Sequence, residues 1–146
     1  MPIESNEPAC RVMVVDDDET NLLLATEVLR LFGAEAIAWS NSAAAFQAFQ
    51  QETVDMIFLD VHMPGMDGLE LADKIRAVEQ HTGRRRTPIV ALTASAMPHE
   101  LEACLQHGMD EVMTKPFVFS ALRATLHRWC PAPDPLQASG PRQAQL

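Results

Sequence analysis

Short apolar runs and longer amphipathic stretches alternate along this chain. The β-rich runs Arg11–Val15, Ala34–Trp39, Val54–Leu59, Pro88–Leu92 and Asp110–Met113 predict five strands. Between and after them, apolar residues recur at helical spacing. Leu24, Val28, Leu31 and Phe32 share the face of a first helix that Gly33 stops, and Phe46 and Phe49 mark a second, rich in alanine. Asp67 stands as an N-cap with Glu70 three residues on, and Leu71, Ile75 and Val78 line one side of a third helix. Met97, Leu101, Cys104 and Leu105 line a fourth, ended by Gly108. Phe119, Leu122, Leu126 and Trp129 face inward from a fifth, stopped by Pro131. Each parallel strand connection needs a crossover, so this alternation implies an α/β domain with a parallel sheet covered on both faces.

Polar groups collect where the strands end. The first run closes on Asp16, Asp17 and Asp18, the third on Asp60 and the fourth on Thr93, and Lys115 follows the fifth. The first and third strands should be neighbours. Open α/β sheets bind ligands beyond the strand C-termini where strand order reverses, so Asp16, Asp17 and Asp60 should meet in one acidic pocket. Three carboxylates suit Mg²⁺, which takes oxygen ligands and keeps waters and a substrate phosphate. With a cation offsetting the charge, the Asp60 carboxylate can attack phosphorus, while Lys115 and the Thr93 hydroxyl hold the other phosphoryl oxygens. Loose phosphoryl-transfer transition states need positioning and neutralisation more than acid–base machinery, which suits so spare a site.

These residues carry a resemblance. Val14-Val15-Asp16-Asp17-Asp18-Glu19, Leu59-Asp60-Val61-His62-Met63-Pro64-Gly65-Met66-Asp67-Gly68, Ala91-Leu92-Thr93-Ala94 and Thr114-Lys115-Pro116-Phe117 resemble, in order, the signature segments of receiver domains of two-component response regulators. The likeness runs from about Arg11 to Trp129. It implies the flavodoxin-like five-stranded fold with strand order 2-1-3-4-5, an order the chemotaxis receivers exemplify. It further implies that Asp60 accepts a phosphoryl group from a histidine kinase or a histidine phosphotransfer protein. Asp17 and Asp60 would bind Mg²⁺ directly, Asp16 would assist, and the backbone carbonyl of His62 would complete the protein ligands. By the same resemblance Thr93 is the switch hydroxyl, Lys115 its charge partner, and Lys115-Pro116 a cis peptide. Asp18-Glu19-Thr20-Asn21 and the segment from Arg86 to Ala94 are most similar to receivers of hybrid sensor kinases. One position departs from the pattern: Val112 stands three residues before the lysine, where many receivers carry Tyr or Phe.

Composition narrows the reading. The 146 residues fit one domain, expected over 10–130, with an N-terminal tail over 1–9 and a disordered tail or linker stub over 131–146. With 47% hydrophobic and 21% charged residues the balance is globular, and no apolar run approaches a membrane span. No basic apolar leader opens the chain, so the cytoplasm is the expected compartment. A net charge of -9 disfavours direct contact with nucleic acid, and Arg84-Arg85-Arg86 is expected to be a solvated loop. Asp18 is expected to be merely solvated. Cys10, Cys104 and Cys130 are odd in number and widely spaced, which argues against a disulfide framework or a thiolate metal site. The expected function is therefore a phosphoacceptor that switches contacts with a downstream protein and is no turnover enzyme beyond its own phosphorylation and dephosphorylation. A pseudo-receiver independent of phosphorylation is the alternative, disfavoured by intact Asp60, Thr93 and Lys115. A phosphohydrolase would want a second acid where His62 stands, and Asp16-Asp17-Asp18 would repel a flavin phosphate.

Overall fold

The computed structural model describes residues 10–130, and the predicted tails lie outside them. Strands β1 (Arg11–Val15), β2 (Glu35–Trp39), β3 (Met56–Asp60), β4 (Ile89–Thr93) and β5 (Glu111–Thr114) alternate with α1 (Glu19–Leu31), α2 (Ser42–Gln51), α3 (Gly68–Thr82), α4 (Pro98–Gln106) and α5 (Phe119–Trp129). All neighbours pair in parallel, in the order β2-β1-β3-β4-β5. The expected order is therefore the observed one. Predicted and observed strand limits differ by up to two residues, because an apolar run continues past the point where pairing begins.

The central strands read as continuous apolar runs because both faces are buried. Val12, Val14, Met56, Phe58, Val90 and Leu92 pack with α1 and α5, while Met13, Val15, Ile57, Leu59, Ile89 and Ala91 pack with α2, α3 and α4. Helix limits have local causes. Asp67 and Glu70 form a capping box on α3, Gly83 ends that helix with φ +75, and Pro98 opens α4.

Several sequence expectations about helix faces are corrected. Val28 and Phe32 are buried, but Leu24 (42% exposed) and Leu31 (57%) face outward, and Leu22, Ala25 and Leu29 carry the core side of α1. In α4 only Cys104 is buried, and Met97 and Leu105 are exposed. Leu122 and Leu126 anchor α5, whereas Phe119 is half exposed. In α1 the helix is rolled about its axis relative to the stripe drawn through its largest apolar residues, so the small residue Ala25 lines the contact. Trp129 packs at the rim, its indole N–H donating 2.6 Å to the Glu111 carboxylate, which Arg128 also grips.

The arginines after α3 lie in a loop, with Arg85 and Arg86 exposed as expected, and each is also tied to a fixed partner. Arg84 donates to the carbonyls of Phe49 and Glu52, both at 2.7 Å, and stacks on the Phe49 ring. Arg85 pairs with Asp55, and Arg86 with Asp110. Beside them, the half-buried Arg76 reaches Glu79 at 2.7 Å and Asp110 at 2.9 Å, and donates to the carbonyls of Thr87 and Gly108. Glu79 and Asp110 in turn accept the backbone N–H groups of Thr87 and Ile89, at the entry to β4. Removing one partner from a buried ionic network leaves an uncompensated charge, so Arg76→Ala should cost about 3–5 kcal/mol in urea unfolding. A loss below about 1 kcal/mol would show that water replaces the guanidinium at no penalty.

The expectation of unrelated thiols is also corrected. Cys10 and Cys130 are joined by a disulfide, with their Cα atoms 6.2 Å apart across 120 residues of sequence. Cys104 is a buried free thiol. Sequence spacing carried no sign of the pair, because only the folded sheet brings the start of β1 beside the end of α5.

Candidate functional site

Register delivers the polar strand ends to one place. Val15 pairs with Leu59, Asp60 with Leu92, and Thr93 with Thr114, so the residues that follow each strand lie side by side at the C-terminal edge of the sheet. Backbone bonds continue the ladder past the strands, from Asp16 N–H to Trp39, from Val61 N–H to Leu92 and from Lys115 N–H to Thr93. These bonds aim the side chains before any of them interacts.

Asp16 and Asp60 are buried, 1% and 3% exposed, while Asp17 is exposed. Carboxylate oxygens of all three lie within 4.8 Å of one another. Asp16 Oδ1 accepts the backbone N–H of Asp18 at 2.9 Å, and Asp60 Oδ1 that of His62 at 3.2 Å. The Lys115 ammonium stands 3.2 Å from Asp16 Oδ2 and 3.5 Å from Asp60 Oδ1. The Lys115-Pro116 peptide is cis. Thr93 is buried, and its Oγ1 accepts the N–H of Ser95 at 3.2 Å, so the hydroxyl is bonded to the loop that leads to α4. The structure thus brings Asp16, Asp17, Asp60 and Lys115 into one pocket, with Thr93 on the neighbouring strand tip. Asp18 is corrected from a solvated residue to the N-cap of α1, accepting from the N–H groups of Thr20 and Asn21.

Charge is crowded here. Burial raises the Asp60 pKa, and the Asp16 carboxylate raises it further, against a lowering by Lys115 and the His62 N–H; it is pushed up to about 7. Burial alone would lower the Lys115 pKa, yet Asp16 and Asp60 hold it above its ordinary value, so the ammonium stays charged. The donor set is all oxygen, without thiol or imidazole, which fits a hard divalent cation and not a thiophilic one. A phosphoryl group bound here would meet a nucleophilic carboxylate, an ammonium and a hydroxyl on rigid strand tips.

One feature of the site was not singled out in the sequence. Gly68, the first residue of α3, donates its N–H to the Val61 carbonyl at 2.9 Å. A Cβ there would overlap the Asp60 carbonyl and lie 2.8 Å from Val61 Cα, so only glycine lets α3 start against the strand tip. The Gly68 in the quoted signature was the available signal. Val112, the departure noted in the sequence, is half-buried on β5 against the α2–α3–α4 core.

Comparison with known proteins agrees with this geometry. Residues 12–127 match the response regulator receiver domain family. The chain is 42% identical over 139 residues to the sensor protein GacS of Pseudomonas syringae pv. syringae, covering 91% of this chain and 15% of that protein. It is 37% identical over 138 residues to the virulence sensor protein BvgS of Bordetella pertussis, covering 90% and 11%. The chain therefore spans a small part of the sensor proteins it matches. Among solved structures, the receiver domain of sensor histidine kinase PA1611 from Pseudomonas aeruginosa PAO1, with magnesium ion coordinated in its active site cleft, superposes with TM-score 0.75 at 32% identity, covering 84% and 98%. The receiver domain of Ssk1, in complex with the histidine phosphotransfer protein Ypd1 of Saccharomyces cerevisiae, gives 0.78 at 28% identity, covering 84% and 89%. With a family match over most of the chain, relatives above 30% identity and the strand order that the family requires, this chain belongs to the response regulator receiver domains.

Proposed function

We propose that this domain takes a phosphoryl group from a histidine kinase or a histidine phosphotransfer protein onto the Asp60 carboxylate, in a Mg²⁺-dependent reaction. The observation that carries the reading is the placement of a buried, pKa-raised carboxylate within 3.5 Å of an ammonium and beside two further acids at the sheet edge. The Ypd1 complex of a similar receiver supports the partner, and the magnesium in the PA1611 cleft supports the cation. An Asp60 oxygen attacks phosphorus, an acyl phosphate bond forms, and the bond from phosphorus to the donor's imidazole nitrogen breaks. Asp16, Asp17, Asp60 and the backbone carbonyl of His62 would hold Mg²⁺, which supplies positive charge against the incoming phosphoryl oxygens. Lys115 neutralises one of those oxygens. Thr93, swinging toward the phosphate, would release the Ser95 N–H and so reset the loop before α4.

The domain is thus a switch for contacts with a downstream protein, catalysing only its own phosphorylation and dephosphorylation. Cytoplasmic placement follows from where such donors work, and no helix among the described residues is long and apolar enough to cross a membrane. Acetyl phosphate with Mg²⁺ should add one hydrolysable phosphate, read by intact mass. No adduct under saturating donor would reject the reading. In Thr93→Ala, labelling should persist while the NMR shift changes over Ser95 to Cys104 shrink, since the bond from hydroxyl to loop is gone. An undiminished response there would remove Thr93 from the switch.

A further inference from the structure

Cys10 and Cys130 sit at the end of the sheet opposite the acidic pocket. Cys10 directly precedes β1, and Cys130 is the C-cap of α5, so their bond joins the point where the chain enters the domain to the point where it leaves. Both are buried against Phe32, Ala34 and Leu126 in the α1–α5 core. A carboxylate oxygen of Asp55 lies within 4.8 Å of both sulfurs, and that side chain is fixed by the Arg11 N–H at 2.8 Å and by Arg85. The third cysteine, Cys104, is buried in the other core, on α4 across the sheet, and cannot compete for either partner.

We propose that Cys10 and Cys130 are a reversible dithiol–disulfide pair that clamps the two ends of the domain according to the ambient thiol balance. Disulfides in reducing compartments are characteristically transient or redox-sensing, and a lone pair joining chain ends fits that use better than a disulfide framework. The oxidant is a small-molecule disulfide. One protein thiolate attacks it, forming a mixed disulfide and releasing one small thiolate. The second protein thiolate attacks the mixed disulfide, closing the Cys10–Cys130 bond and releasing the other. The protein loses two electrons and two protons, and the small disulfide becomes two thiols. Opening at the α5 terminus, the last turn of a helix, exposes the sulfurs for the first attack.

Closing so long a loop constrains the unfolded chain. The oxidised form should therefore melt higher by roughly 10 °C. The test uses the full chain equilibrated with mixtures of reduced and oxidised glutathione, quenched by alkylation. Under oxidised glutathione, one cysteine should remain alkylatable after unfolding, and a proteolytic digest should contain a peptide joining Cys10 to Cys130. Dithiothreitol should restore three alkylatable thiols and lower the melting temperature. Cys10→Ser and Cys130→Ser should each melt like the reduced parent whatever the glutathione ratio. Three free thiols in every mixture would overturn the proposal, as would a link through Cys104. The proposal also fails if the glutathione adduct never resolves to the internal bond, or if the reduced protein takes up one Zn²⁺ through these thiols and resists oxidation.

Discussion

Asp60→Asn should abolish labelling by acetyl phosphate and, in the absence of Mg²⁺, melt several degrees above the parent protein. The two effects have one origin. Asp60 is the carboxylate that burial and Asp16 together make costly to ionise, and its amide counterpart keeps the shape while removing both the nucleophile and the buried charge. A gain on the order of 1–3 kcal/mol at neutral pH is expected, because relief of repulsion by Asp16 outweighs the loss of the 3.5 Å contact with Lys115, which retains its nearer partner Asp16. Intact-mass labelling and thermal melts in EDTA read the two effects separately. Labelling equal to the parent would move the acceptor elsewhere. A variant that melts markedly lower would mean that Lys115 more than compensates the acidic cluster.

Mg²⁺ at millimolar concentration should raise the melting temperature of the parent, and by much more at pH 8 than at pH 5. The Asp60 pKa is about 7 in the folded protein against an ordinary value of 3.8, so between these limits the folded state binds a proton that the unfolded state releases. The Asp60 contribution to the stability of the metal-free protein is therefore greatest below pH 4, falls as pH rises toward 7 and levels off above it. The cation binds ionised carboxylates and must displace that proton, so its contribution is suppressed in acid and complete in base. At 100 times its dissociation constant it adds about 2.7 kcal/mol. Asp17→Asn should raise apo stability slightly, since one of three converging carboxylates is neutralised, and should remove most of the Mg²⁺ shift. Melts at fixed ionic strength, with EDTA or with Mg²⁺, decide the matter. An Asp17→Asn protein that still gains the parent's full Mg²⁺ shift would exclude Asp17 as a ligand, and a shift that is equal at pH 5 and pH 8 would contradict the raised Asp60 pKa.

Local pattern determined much of this protein. Strands buried on both faces must be apolar throughout, helices between them must carry a stripe, and caps such as Asp67 with Glu70 follow from backbone groups left unbonded in the first turn. The acids at the ends of the first and third runs, with Thr93 and Lys115, were legible as a set because residues that end adjacent parallel strands must share one edge of the sheet. Only the tertiary structure decided what depends on rotation and on long-range meeting. Asp16 and Asp17 are neighbours in sequence, yet one faces the core and the other the solvent, since side chains just past a strand tip still alternate. Leu24 and Leu31 fit a helical stripe, but a small roll of α1 placed Ala25 and Leu29 inward instead. The arginines after α3 found carbonyls at the end of α2 and carboxylates at the starts of β3 and β5, partners distant in sequence. Cys10 and Cys130 met because the first strand is central and the last helix packs beside it. Periodicity specifies which face of an element is apolar, whereas the packing of several elements at once specifies which residues on that face touch, and that is a property of the whole chain.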